Sequence, residues 1–169
     1  LNSSVLAMLP KQTLGVIPPA LNDGFMQRLD RQLVWLVSPG GKIVEQRNTV
    51  GDYPTIDGCR LLAPSVGTLI ALDTENDTRW QSLLELLAAL EAADKLGEVD
   101  AIHIGNAAYL TMDYMGRFSV ELNYDADFAY KLRTLDAILA SGKIQENMTG
   151  TFNMRGEDGK TNFIQNSVK

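Results

Sequence analysis

Histidine and cysteine occur once each in these 169 residues, as His103 and Cys59. A single cysteine excludes an intramolecular disulfide, so the fold rests on its core rather than on covalent staples. That usage suits a cytosolic chain and equally the many extracytoplasmic bacterial proteins without disulfides, which leaves the compartment open. Cys59 reads as a small apolar residue of the interior. One histidine leaves little from which to build a His-ligated zinc site or a Ser-His-Asp triad. Basic residues are in the minority: 15 Lys and Arg stand against 21 Asp and Glu, a formal charge of −6. Nucleic acid and anionic lipid both demand a basic surface, so that balance argues against either as a partner. No apolar run reaches the roughly 18 residues of a membrane span. Gly40-Gly41 and the pair Gly156 and Gly159 lack the spacing of phosphate- or dinucleotide-binding loops. Asn2, Asn76 and Asn147 head glycosylation triplets, a number that chance alone supplies.

What remains is an ordinary globular composition, 45% apolar and 21% charged. The length allows one domain with a sizeable core, or two small ones. SVLAMLP (4–10) reads as the last turns of a helix stopped by Pro10, and VIPPAL (16–21) as a turn or extended segment. QLVWLV (32–37) and KIVEQ (42–46) are strand-like runs around the turn Ser38-Pro39-Gly40-Gly41. Residues 47–66 read as a connection, and GTLIAL (67–72) as a short extended piece. Trp80, Leu83, Leu84, Leu87 and Leu90 then recur at helical spacing, from a start near Thr74 or Asp77 to a stop at Gly97. This segment is acidic, and several of its carboxylates sit near the helix start, where negative charge is favoured.

Three more strands follow: VDAIHIG (99–105), AYLTMDY (108–114) and RFSVELN (117–123), the last two joined by a tight turn at Met115-Gly116. A second helix runs from about Asp125 to Ser141, with Phe128, Leu132, Leu135, Ile138 and Leu139 on one face and Gly142 at its end. TFNMR (151–155) and KTNFIQ (160–165) form a last hairpin around Glu157-Asp158-Gly159. Helices separated by hairpins predict an α+β fold, a largely antiparallel sheet with two helices on one face.

The stretch DYMGRFSVELNYDADFAYKL (113–132) holds four carboxylates, Asp113, Glu121, Asp125 and Asp127, that an acidic site would draw on. Each has a plainer reading. Asp113 flanks the hairpin turn, and Glu121 shares the parity of Ser119 on the solvent face of its strand. Asp125 and Asp127 open the second helix, where one caps free N–H groups and the other meets the dipole. Asp125 and Asp127 begin something like a calcium loop, but no glycine or distal glutamate follows at the required offset. Alternation sets His103 with Ala101 on one strand face and Ile102 with Ile104 on the other, so His103 is expected to be half-buried or solvent-facing rather than catalytic.

Taken in order, these motifs resemble the bacterial division proteins FtsQ and DivIB. VWLVSPGGKIVEQ (34–46) is similar to the family's Leu-Val…Gly-x-Val hairpin, and YPTIDG (53–58) to its Leu-Pro-x-Ile-x-Gly link, with Tyr in place of Leu. MDYMGRFSVELNYDADFAYKLRTLDAIL (112–139) resembles its run of strand, turn, strand, acidic helix start and Lys-Leu. TFNMR (151–155) resembles the closing Ile-Asp-Leu-Arg strand, with Asn153 and Met154 where Asp and Leu are usual. The resemblance spans about residues 32–165, and its specificity lies in the order of the motifs. It implies a β domain over 32–169, preceded at 1–31 by a remnant or partial POTRA-like segment.

It also implies a non-enzymatic divisome scaffold, without cofactor or metal, that lies outside the cytoplasm of a single-pass membrane protein. A chain that begins at Leu1 is expected to be a fragment, with the membrane anchor upstream. The implied partners are FtsB- or DivIC-like and FtsL-like coiled-coil division proteins, held at the septum by strand addition to the C-terminal sheet edge. The matching positions are Lys160, Thr161, Asn162, Phe163, Ile164 and Gln165; the plainer reading is an edge blunted by Lys160. Two other functions stay open. One is an extracytoplasmic peptide- or glycan-binding module with Trp35, Tyr109 and Tyr114 as stacking groups. The other is an acid-dependent hydrolase built on Asp113 and Glu121.

Overall fold

The computed structural model describes residues 5–9, 34–47, 51–59, 61–71, 78–156 and 160–166. Nine strands form one mixed sheet: β1 (Leu6–Met8), β2 (Val34–Val37), β3 (Ile43–Arg47), β4 (Thr55–Asp57), β5 (Val99–His103), β6 (Tyr109–Tyr114), β7 (Phe118–Asn123), β8 (Gly150–Asn153) and β9 (Asn162–Gln165). Their spatial order is β3-β2-β1-β4-β5-β6-β7-β8-β9. Among the described residues two helices, α1 (Thr78–Ala92) and α2 (Phe128–Ala140), join the sheet in an α+β fold. Most pairings are antiparallel; β1–β4, β4–β5 and β7–β8 are parallel.

Two of those parallel pairs explain the layering. The chain leaves β4, forms α1 and returns as the parallel neighbour β5; it leaves β7, forms α2 and returns as β8. The four strands point the same way, because two antiparallel steps separate β5 from β7. Both crossovers step in the same direction across the sheet, so the right-handed rule puts both helices on one face. The core accordingly joins Leu83, Leu86, Leu87 and Leu90 of α1 to Phe128, Leu132 and Leu135 of α2. Both sets pack on Ile102, Leu110, Met112, Tyr114, Phe118, Val120, Leu122 and Phe152. Each fully buried leucine is worth about 1.5–3 kcal/mol of transfer free energy.

Local chemistry accounts for most element ends. Asp127 caps α2: its side chain accepts the Tyr130 N–H at 3.1 Å. Gly142 follows the helix with φ +81. Met115 and Gly116 have φ of 59 and 66, the left-handed pair at the centre of the three-residue β6–β7 link, which the Arg117 N–H closes on Tyr114 O at 3.1 Å. The sequence places the stop of α1 at Gly97, but the helix ends at Ala92. There Asp94 takes φ +57, the Lys95 N–H donates to Leu90 O and the Asp94 N–H to Glu91 O, which closes the last turn.

Two further expectations need correction. SVLAMLP is not a helix end: Leu6–Met8 is a strand between β2 and β4. Residues 47–66 are not wholly a connection, because Thr55–Asp57 pairs in parallel with both β1 and β5. GTLIAL contributes one isolated bridge, Leu69 with Lys42. The expected turns VIPPAL and Glu157–Gly159 lie outside the described residues, although the β8–β9 pairing on either side of the second is antiparallel. Among the described residues no helix is long and apolar enough to cross a membrane.

Candidate functional site

The two ends of the sheet differ. At one end, loop residues cover the start of β3: the Ile43 N–H donates to Thr68 O and the Gly67 N–H to Ile43 O, both at 2.8 Å. Further along β3, Glu45 and Arg47 form an ion pair at 3.2 Å, and charge on an edge discourages pairing. At the other end lies β9, which among the described residues pairs with β8 alone.

Phe163 fastens β9 to the helix-bearing face. Its ring lies 4.7 Å from Phe152 and 6.0 Å from Phe118, and those two rings sit edge to face at 5.0 Å. Such aromatic pairs add about 0.5–1.5 kcal/mol beyond the area they bury. Gly150 permits the close approach of β9, since a Cβ there would fall 2.3 Å from Ile164 O and 2.8 Å from the Phe163 ring. Ile164 projects from the opposite face and is 64% exposed. Asn162 and Gln165 are exposed, Thr161 is half-buried, and Lys160 precedes the strand in the open.

The ladder register fixes which backbone groups face outward. The Asn166 N–H donates to Thr149 O at 2.8 Å. Ile164 opposite Thr151 and Asn162 opposite Asn153 are therefore the next hydrogen-bonded pairs. The alternation turns the N–H and C=O groups of Phe163 and Gln165 away from β8, toward the open edge.

The sheet face away from α1 and α2 carries a second assembly. Asp57 lies opposite His103 across the β4–β5 pair, and Asp113 lies diagonal to it on β6, opposite Ala101. In the protonated ring, Nδ1–H donates to both Asp57 carboxylate oxygens at 2.9 Å and Nε2–H to Asp113 Oδ2 at 2.8 Å. Burial of the ring opposes its charge, but the hydrogen bonds and charges of Asp113 and Asp57 outweigh that cost, and its pKa lies above the usual 6.5. Among the described residues no group of three or more His, Cys, Asp and Glu side chains is placed to hold a metal ion.

Glu121 is on this same face, as its parity with Ser119 predicts, and pairs with Arg155 at 3.2 Å. The Arg155 guanidinium in turn lies 4.2 Å from the Tyr109 ring centroid. Both carboxylates of the hydrolase reading are thus held by cationic partners. The proposed stacking trio is not assembled either. Tyr114 is 1% exposed, Trp35 packs on the helix-side core, and Tyr109 lies on the other face under Arg155. Of the four carboxylates in 113–132, Asp127 caps a helix and Asp113 does more than flank a turn.

Asp57 is the residue that sequence reasoning missed. Parity groups His103 with Ala101, and the β5–β6 pairing adds Asp113 to that face. Nothing local shows that a strand 46 positions earlier lies alongside in parallel. No protein-family model, curated protein or solved structure matches the chain.

Proposed function

We propose that this chain is a non-enzymatic scaffold domain of the bacterial division machinery, of the FtsQ and DivIB type. In this reading it lies outside the cytoplasm on a single-pass membrane protein and binds FtsB- or DivIC-like and FtsL-like coiled-coil partners at the septum. The ordered motifs of residues 32–165 support the assignment. The observation that carries the binding mode is the state of β9: a sheet edge that among the described residues pairs on one side only, with outward N–H and C=O groups at Phe163 and Gln165. A partner segment that adds there as a tenth strand gains main-chain hydrogen bonds from those groups and apolar contact at Ile164. Phe163 holds the acceptor strand rigid against Phe152, which lowers the ordering cost of binding.

A pull-down with the coiled-coil partners tests the reading. Gln165→Pro removes an outward N–H and places a ring on the free edge while leaving the β8 ladder intact, as proline on an edge strand does. Ile164→Lys removes the apolar contact from an exposed position without touching the core. Both variants are expected to fold and to lose partner retention at least about tenfold, the loss that corresponds to 1.4 kcal/mol. Retention equal to the parent in both would rule out strand addition at β9.

A further inference from the structure

His103 is the one histidine of the chain, and it stands at a structural seam. Here β3-β2-β1-β4 joins β5 through β9 by a short parallel pairing of three residues, Thr55 to Asp57 against Ala101 to His103. Just past it the Ile104 N–H donates to Asp57 O at 2.9 Å, and the chains meet at Gly58 and Gly105, where a Cβ on Gly58 would fall 2.2 Å from Gly105 N. The Asp57–His103 contact crosses this seam, and the Asp113 contact ties the same ring back to β6.

A neutral imidazole carries one N–H; the imidazolium carries two. Both ring nitrogens of His103 face carboxylates at 2.8–2.9 Å, so only the charged ring satisfies both partners. In the neutral ring one nitrogen turns a lone pair toward an anionic oxygen. Helices α1 and α2 pack on the opposite face, and the other charged pairs on this face among the described residues, Glu121 with Arg155 and Glu45 with Arg47, are each closed on themselves. Among the described residues, the titratable groups that face the imidazole are Asp57 from β4 and Asp113 from β6.

We propose that Asp57, His103 and Asp113 form a pH-responsive brace: the protonated ring clamps β4 to β6 across β5, and loss of its proton releases one carboxylate and loosens the seam. The sign follows from linkage. A group that holds its proton more tightly when folded contributes stability fully below its unfolded value. That contribution is lost as the pH rises through the folded value. For His103 the brace is complete below pH 6.5, the ordinary value, while Asp57 and Asp113 stay ionised, and it fades above 6.5 through a folded value that is higher.

Because the chain has one histidine, its imidazole resonances need no assignment by mutation. In an NMR titration of the full chain, both ring nitrogens are expected to be protonated at low pH, with a midpoint above 6.5. Asp57→Asn and Asp113→Asn each lower the midpoint by about half a unit or more. In denaturant unfolding, the stability of the parent relative to His103→Gln falls as the pH rises from 6.5 through the folded midpoint measured by NMR. A midpoint at or below 6.5 in the parent overturns the brace. So does a parent-minus-variant difference that stays flat across that pH range.

Discussion

Gly58 has little freedom to change. Its φ of +92 lies in the left-handed region that side chains disfavour, and the space where a Cβ would sit is occupied by the Gly105 backbone. Gly58→Ala must therefore both strain the backbone and part β4 from the end of β5. It is expected to cost at least about 1–3 kcal/mol in urea unfolding. Asp127 offers a milder case. Its carboxylate satisfies one orphan N–H of α2 from an exposed position, so Asp127→Ala should lower stability by about 1 kcal/mol, with the native circular dichroism spectrum kept.

Among the elements, α1 carries an imperfect stop. Asp94 occupies the left-handed position that closes the helix, where glycine avoids the Cβ penalty. Asp94→Gly is expected to raise the urea midpoint, with a gain of up to about 1 kcal/mol; a lower midpoint would show that the aspartate side chain stabilises the turn. Elements of this kind differ in how far they can be read from residues. β6 and β7 alternate strictly between buried and half-buried positions because one face is covered by helices, and a period of two is legible in TMDY and FSVEL. The leucine spacing of α1 and the apolar face of α2 are legible for the same reason, although Leu86 at the centre of the packed face was not singled out. β1 hides because Leu6, Ala7 and Met8 are all buried, which erases alternation. β4 hides because three residues, Thr55 to Asp57, are too few for a period, and because its partners Ala7 and Ala101 to His103 are distant in sequence. The edge position of β9 is what the family resemblance implies, whereas the contacts of His103 with Asp57 depend on β4 and are not legible locally.

At the scale of the whole molecule, the nine-stranded sheet of the described residues has two ends, and they are treated differently: β3 is partly covered and charged, and β9 is held from within by Phe163. In the proposed reading, this asymmetry is what would direct a partner strand to the C-terminal edge. A bound strand would hydrogen-bond the outward groups of β9 and leave those that already face β8 unchanged. The most direct test is amide hydrogen exchange of the isotope-labelled chain with and without an FtsB- or DivIC-like partner segment. The account predicts new protection at the Phe163 and Gln165 N–H groups, with that of Ile164 and the β3 amides unchanged. Partner binding that leaves Phe163 and Gln165 exchanging as in the free protein, or that protects β3 instead, would contradict it.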